Sequence, residues 1–103
     1  GVRVTTCCEI GNFIILNLNV TVGHDSVLEN FVSIMPGANI SGNVHLASKS
    51  YVGTGATILQ GKDESNRMLI GAKSVVGAGS VVVKPVAEGI VVVGAPAKEL
   101  KRD

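Results

Sequence analysis

The chain has 103 residues, of which 46% are hydrophobic but only 3% aromatic, and nine basic against eight acidic residues give a net charge of +1. This length allows one domain, residues 1–103, and the balanced charge without a basic run argues against a nucleic-acid partner. No apolar stretch is long enough to span a membrane and no signal peptide opens the chain, so we expect a cytoplasmic protein without a membrane partner.

An aliphatic residue falls at every sixth position through more than half of the chain. The residues in this phase are Val4, Ile10, Leu16, Val22, Leu28, Ile34, Ile40, Leu46, Val52 and Ile58, and the phase returns at Ile70, Val76 and Val82. A strict period indicates stacked copies of one small unit. Six residues match neither the 3.6-residue period of a helix nor the two-residue alternation of a strand.

The fifth position of the hexad is mostly small or β-branched, and the residue after the aliphatic one is often Gly. Two inward positions per hexad, with a Gly able to take φ > 0 at a corner, predict a short strand followed by a tight bend. Three such strands close a triangular coil, and about five to six coils stack at the strand spacing into a parallel β-helix. The predicted fold class is therefore all-β.

Residues 18 positions apart should lie directly above one another in such a stack. The predicted ladders are Val4, Val22, Ile40 and Ile58 in one series, and Leu16, Ile34, Val52 and Ile70 in another. The six-residue phase is already established at Val4, with no capping element before it. Because the end of a repeat stack is normally covered, we expect this chain to be the carboxy-terminal part of a longer architecture, or a second chain to cover this end.

The first candidate for chemistry along the chain is His24, which is followed by Asp25. His24 occupies the third, outward position of its hexad. A histidine titrates near neutrality and a neighbouring anion raises its basicity, so this pair is suited to general-base work. His45, at the last position of its hexad, has no acidic neighbour in sequence and is interpreted as a surface residue.

The repeat weakens at residues 62–69, where Glu64 would occupy an inward slot. An unpaired carboxylate in the core would be costly, so either this side bulges outward or Glu64 is turned to solvent. The segment is then either a plain surface loop or a loop flanking a ligand groove. After Val82 the spacing changes, and residues 90–93 read as a final strand. A short charged tail, residues 98–103, could form one helical turn.

Several runs resemble the hexapeptide-repeat acyltransferase family. They are Val22 to Val44, with His24-Asp25, Phe31, Pro36-Gly37-Ala38 and Ser41-Gly42-Asn43-Val44, and the closing segments Val75 to Val82 and Val93 to Lys98. The first run is similar to the branch that acetylates sialic acids and nucleotide-activated amino sugars. The resemblance implies a left-handed sense for the β-helix. Full-length relatives also place a small α/β domain before it, and nothing in this chain resembles that domain.

In that branch the histidine matching His24 is the general base, and the acid matching Asp25 orients it. The resemblance further implies a homotrimer, with acetyl-CoA in a groove between prisms and direct attack of a sugar amine or hydroxyl on the thioester. The positions carried over to the cofactor path are Ser33, Gly42, Thr54 and Ala72, with Gly77 as a weaker candidate. Many relatives carry a second histidine where this chain has Ser33, whose hydroxyl can donate a hydrogen bond but cannot carry positive charge.

Other interpretations stay open on the sequence. Gly42 could simply be a turn glycine. The chain could be a non-catalytic trimeric β-helix module or an inactive acyltransferase fragment, in which His24 would be replaceable. A zinc-dependent lyase on this fold would need three histidine ligands, and the chain has two histidines, so no metal is expected. Candidates for outward contact between prisms include Phe13, Ile15, Val20 and Phe31.

Overall fold

The computed structural model describes residues 1–100, which form fifteen short β-strands and no helix. The strands are β1 (Arg3–Val4), β2 (Glu9–Ile10), β3 (Ile15–Leu16), β4 (Thr21–Val22), β5 (Val27–Leu28), β6 (Ser33–Ile34), β7 (Asn39–Ile40), β8 (Val44–Leu46), β9 (Tyr51–Val52), β10 (Thr57–Ile58), β11 (Met68–Ile70), β12 (Val75–Val76), β13 (Val81–Val82), β14 (Val91–Val93) and β15 (Lys98–Glu99). Within this range, no helix is present that could cross a membrane.

The strands stack into three parallel sheets that form the faces of a prism. Sheet A has the order β1-β4-β7-β10-β13, sheet B has β2-β5-β8-β11, and sheet C has β3-β6-β9-β12-β14-β15. Only the last pair, β14 with β15, is antiparallel. The chain visits A, B and C in turn, so each circuit is the triangular coil that the hexads predict. We call the corners between faces the A–B, B–C and C–A edges.

In the middle coils the two inward positions of each hexad form the core, as predicted. The prediction is wrong for the first coil, where Val4 and Ile10 are 44% and 42% exposed because only the following coil of this chain covers them. The aliphatic residues of the middle coils are buried, and so are the small or β-branched residues at the fifth position. Val20 belongs to this second set, so its prediction as an outward contact residue is wrong, whereas Phe13, Ile15 and Phe31 are exposed. A prism this narrow is filled by stacked aliphatic side chains because each coil covers the one before it.

The glycines directly after the aliphatic residue serve a different purpose from the predicted one, whereas glycines such as Gly37 and Gly55 do take positive φ at a corner. Positive φ falls on the third residue after the aliphatic one at most corners, including non-glycine residues such as Phe13, Asp25 and Lys49. The glycine directly after the aliphatic residue does not take positive φ. At Gly23, an added Cβ would lie 2.4 Å from the backbone nitrogen of Gly42 in the next coil. These glycines are therefore required by the close approach of successive coils.

One hexad is excluded from the prism between β10 and β11. Ile58 pairs with Ile40, 18 positions earlier, but with Val82, 24 positions later. The predicted ladder is therefore wrong at its last step: Ile70 lies on Leu46, and Val52 is followed by Val76. Lys62 and Glu64 would both have pointed inward, and instead they are exposed on a loop, residues 59–67. The predicted outward bulge is confirmed.

The end of the described chain differs from the predicted helical turn. Residues Lys98–Glu99 form the antiparallel strand β15 against β14, and the Leu100 N–H donates to the Val91 carbonyl at 2.7 Å. The rest of the predicted tail, residues 101–103, lies outside the described residues.

Candidate active site on the A–B edge

The candidate base lies on an edge where four turns stack. The four turns follow successive strands of sheet A and consist of residues 5–8, 23–26, 41–43 and 59–67. His24 and Asp25 form the tip of the second turn. Asp25 takes a left-handed φ of 56°, and its Oδ2 lies 2.9 Å from His24 Nδ1. When Nδ1–H donates this hydrogen bond, Nε2 keeps its lone pair and can accept a proton. The His24 side chain is 59% exposed and therefore accessible to a substrate.

Gly42 lies against the imidazole ring of His24. An added Cβ at Gly42 would be 2.4 Å from His24 Nε2 and less than 3 Å from two ring carbons. Gly42 does not take positive φ, and the left-handed residue of this turn is Asn43, with φ 56°. Gly42 therefore lies in the turn without needing a left-handed conformation, and the absence of a side chain there leaves room for the ring.

Asn43 connects the turn of the base to the loop above it. Its N–H donates to the His24 carbonyl at 2.8 Å, and its own carbonyl accepts the N–H of Met68 at 2.9 Å. The side chain is buried, with 8% exposure, and among residues 1–100 its enclosed Oδ1 has no hydrogen-bond partner. Asn43 belongs to the Ser41-Gly42-Asn43-Val44 run of the family resemblance, but the hexad pattern predicts no role for its side chain.

The excluded hexad closes over the same edge as an anchored loop. The Gly61 N–H donates to the Gly42 carbonyl at 3.1 Å, and Arg67 Nε donates to the Asp25 carbonyl at 2.8 Å. Between these anchors, Asp63 Oδ1 accepts the N–H groups of Ser65 and Asn66 at 2.8 and 3.0 Å. These bonds, the one from the Ser65 N–H foremost, lower the pKa of Asp63 below its ordinary value of 3.8.

The loop and the edge enclose a polar pocket of about 240 Å³ beside the candidate base. Its lining consists of Asp25, Asn43, Lys62, Asp63, Glu64 and Ser65. Of the two interpretations of residues 62–69, a loop that flanks a groove is therefore the one that the geometry favours. A larger cavity of about 480 Å³ lies on the last coil near Val82, Ile90 and Val92, and neither histidine lines it.

The predicted cofactor residues lie on different edges of the prism. Gly42 is on the A–B edge, Ala72 on the B–C edge and Thr54 on the C–A edge, while Ser33 points outward from sheet C. One coil above Thr54 is Ala78, because the excluded hexad shifts the stacking by six positions. In residues 1–100 the backbone–backbone hydrogen bonds leave the N–H groups of Gly42, Thr54 and Ala72 unused. One prism alone does not bring these four residues together, and Gly77, the weaker candidate, lies on the C–A edge.

The structure also reveals a second histidine–carboxylate pair. His45 Nε2 lies 2.5 Å from Glu29 Oε2, although the residues are 16 positions apart in sequence. Glu29 Oε1 in turn accepts the N–H of Ser48 at 3.3 Å. The signal that could have found this pair is the 18-residue stacking, which places neighbouring coils side by side.

A cysteine side chain also lies at this edge, next to the turn of the candidate base. Cys8 donates from Sγ to the Gly23 carbonyl at 3.2 Å, so a thiol lies close to the base in space though not in sequence. It is half-buried against the core, as expected of a small packing residue. Across residues 1–100, no group of three or more His, Cys, Asp or Glu side chains is placed to hold a metal ion.

No protein-family model matches the chain. It is 40% identical over 101 residues to GDP-perosamine N-acetyltransferase of Escherichia coli O157:H7, covering 98% of this chain and 45% of that protein. The structure of WeeI from Acinetobacter baumannii AYE superposes with a TM-score of 0.93 at 40% identity, covering 96% of this chain and 46% of that one.

A second solved structure is a histidine-to-asparagine mutant of perosamine N-acetyltransferase from Caulobacter crescentus in complex with CoA and GDP-perosamine. It superposes with a TM-score of 0.92 at 29% identity, covering 99% of this chain and 46% of that one. The chain therefore spans about half the length of the relatives that it matches. The left-handed sense of the β-helix, which the resemblance implied, is confirmed by these similarities.

Proposed function

The chain is homologous to about half of each hexapeptide-repeat nucleotide-sugar acetyltransferase that it matches, and on this premise we propose that it transfers acetyl from acetyl-CoA to the amine of a nucleotide-linked amino sugar. The observation that carries the proposal is the exposed His24–Asp25 pair, with Nδ1 bound to the carboxylate and the ring held against Gly42. The relatives named for N-acetyl transfer favour nitrogen over oxygen as the acceptor atom.

In the proposed mechanism His24 Nε2 takes a proton from the sugar amine as the nitrogen attacks the thioester carbonyl carbon. The new carbon–nitrogen bond forms, the carbon–sulfur bond breaks, and the protonated His24 returns its proton to the departing thiolate. Asp25 holds the ring in one orientation and stabilises its charged form. No step needs a covalent enzyme intermediate, and no step needs a metal.

A homotrimer with each site shared by two chains is part of the proposal. The predicted cofactor residues lie on three different edges and one face, so a groove between two prisms is the arrangement that could unite them. Outward apolar side chains support such packing: Phe13 is 77% exposed and stacks on Phe31 with ring centroids 5.2 Å apart. Solitary exposed residues are ordinary, but a contiguous apolar patch of this kind marks an interaction surface.

The test is acetyl-CoA binding by calorimetry, followed by thiol release with GDP-perosamine, on the wild-type chain and on His24→Ala. We expect both proteins to bind acetyl-CoA and only the wild type to turn over. Equal turnover by both would identify a module in which His24 is replaceable. No binding by either, in a trimer confirmed by light scattering, would identify an inactive acyltransferase fragment.

A further inference from the structure

The corner of the candidate base is held by a hydrogen bond that the regular corners lack. Of the non-glycine residues with left-handed φ, only Asp25 and Asn43 have a carbonyl group that accepts a hydrogen bond within residues 1–100. Both donors come from the end of the excluded hexad: Arg67 Nε donates to Asp25 at 2.8 Å, and the Met68 N–H donates to Asn43 at 2.9 Å. The excluded hexad therefore makes contacts at this edge that stacked coils alone do not provide.

Arg67 is committed to this one acceptor. It lies 42 positions from Asp25 in sequence and is half-buried. Within residues 1–100 it forms no ion pair with a carboxylate, and the bond to the Asp25 carbonyl is the one hydrogen bond of its side chain. A guanidinium donates from a rigid planar fork, and a charged donor makes a stronger bond than a neutral one. The Asp25 carbonyl is thus fixed in direction as well as in position.

Asp25 transmits this constraint to the imidazole. Its N–H donates to the Thr6 carbonyl at 3.0 Å, its own carbonyl accepts Arg67 Nε, and its Oδ2 lies 2.9 Å from His24 Nδ1. Left-handed φ is uncommon for a residue with a side chain, so this turn needs support from its surroundings. If the carbonyl of Asp25 were released, the residue could leave this conformation and its carboxylate would leave Nδ1. The Nε2 lone pair would then no longer be secured.

We propose that Arg67 is a positioning residue for the candidate base: its Nε–H holds the Asp25 carbonyl, and Asp25 so held keeps the His24 ring with Nε2 free to accept a proton. The inference rests on the proposed function for the role of His24 in the reaction. Arg67 contacts neither substrate nor a reacting atom in this scheme. The excluded hexad would thus serve the base from behind, through the backbone of its turn.

The first experiment measures the tautomer of His24, by nitrogen-15 NMR at a pH where the ring is neutral, in the wild type, Arg67→Met and Arg3→Ala. Arg67→Met keeps an unbranched stem and removes the donor. Arg3 is the matched control, an exposed arginine on strand β1 whose side chain forms no hydrogen bond or ion pair within residues 1–100. We expect the ratio of the Nδ1–H to the Nε2–H form to fall by about five-fold in Arg67→Met and to stay unchanged in Arg3→Ala.

An unchanged tautomer ratio in Arg67→Met would overturn the positioning role, whether or not the chain is active. Urea denaturation of the same proteins separates positioning from stability. A loss of stability in Arg67→Met with the ratio unmoved would mean that Arg67 only anchors the loop.

The second experiment measures kcat and KM with acetyl-CoA and GDP-perosamine. Arg67→Met should lower kcat by about five-fold and leave KM for acetyl-CoA within about two-fold, because the base is misplaced while the cofactor site is intact. Arg67→Lys, which restores a cationic donor, should recover part of the loss. An active wild type with equal kcat in Arg67→Met would overturn the positioning role and leave the acetyltransferase proposal intact. An inactive wild type with a shifted tautomer in Arg67→Met would contradict the proposed function and support the Arg67 contact.

A third measurement needs no variant. The Arg67 Nε–H of the wild type should exchange with solvent at least about ten-fold more slowly than the Arg3 Nε–H, because only the former is hydrogen-bonded to the protein. Equal exchange rates would overturn the proposal even if Arg67→Met did not fold.

Discussion

Two histidine–carboxylate pairs lie on adjacent coils of this prism. Both join an imidazole nitrogen to a carboxylate oxygen, but they differ in the chain positions that form them and in the exposure of the imidazole. His24 and Asp25 are consecutive residues at the tip of a turn, with the imidazole 59% exposed. His45 and Glu29 come from different coils, and the imidazole, on strand β8, is 32% exposed.

The two pairs differ more in their surroundings than in their hydrogen bonds. His24 uses Nδ1 for its carboxylate, its ring lies against a glycine, and an anchored loop forms a pocket beside it. His45 uses Nε2, and its ring lies between Val27 and Leu69 on the face of sheet B. A histidine and an acid therefore do not define a base, because the free nitrogen must also face a space that a substrate can occupy.

The largest expected difference is in turnover. His24→Ala should lower kcat for thiol release by about 10²–10⁴-fold, because the proposed general base is removed. His45→Ala should leave kcat within about two-fold, since its imidazole is only 32% exposed, on the face of sheet B, and its Nε2 is bound to Glu29. Steady-state kinetics with acetyl-CoA and GDP-perosamine measures both, and a comparable loss in the two variants would show that the second pair also serves the reaction.

A second prediction separates ring placement from folding. Gly42→Ala should lower kcat by about ten-fold or more with little loss of stability, because the new Cβ displaces only the far end of the His24 side chain. Gly37→Ala should do the reverse: its φ of 73° is unfavourable for alanine by about 1 kcal/mol, but open space surrounds the new Cβ. Urea denaturation alongside kinetics distinguishes the two, and equal activity in both variants would remove the role assigned to the Gly42 contact.

A smaller effect concerns the buried serines under each edge. Below the A–B edge, Ser26 Oγ donates to the Ser41 carbonyl at 3.1 Å and accepts the Val44 N–H at 3.2 Å. Below the B–C edge, the buried Ser50 Oγ has no partner in the described part of the chain. Ser26→Ala should lower the free energy of unfolding by about 1–3 kcal/mol, and Ser50→Ala should leave it unchanged or raise it slightly. Destabilisation by Ser50→Ala equal to that by Ser26→Ala would contradict this assignment.

The smallest expected effect is a pH dependence limited to the loop of the A–B edge. The pKa of Asp63 is lowered below 3.8 by hydrogen bonds to the ionised carboxylate, foremost from the Ser65 N–H. The stabilisation is thus complete above 3.8 and is lost as pH falls through the lowered pKa. Carbon-detected NMR titration should give Asp63 a pKa below that of free aspartate, while Asn66 loses exchange protection over the same range. A normal Asp63 pKa would mean that the turn is not formed in solution.

The hexad period predicts well which residues are buried, but it predicts only in part which residues stack on one another in adjacent coils. The direction of a side chain, inward or outward, repeats every six residues. The period therefore predicts correctly that Ile70 and Val76 are buried, even though six residues before them are excluded from the prism. Stacking repeats every 18 residues, and the period of six cannot detect a shift of one hexad. For this reason the partner of Ile70 was predicted wrongly while its burial was not.

The site was predictable where it is local in sequence. His24 and Asp25 are consecutive, so their pairing needs no knowledge of the fold. The contact of Gly42 with the imidazole, the unpaired Asn43 side chain and the pairing of His45 with Glu29 all depend on stacking plus the direction of a side chain. Neither the hexad phase nor residue type specifies that direction, so these features required coordinates.

The excluded hexad adds residues to the prism at a corner and not within a wall. Six residues built into the wall would turn every later strand onto the next face, a rotation of one third of a circle about the long axis. Two charged side chains, Lys62 and Glu64, are incompatible with the interior, and the segment is expelled at a corner instead. The coils after the loop are therefore not rotated about the long axis relative to the coils before it. The loop adds new side chains beside the candidate base without moving the wall of the prism that carries this base.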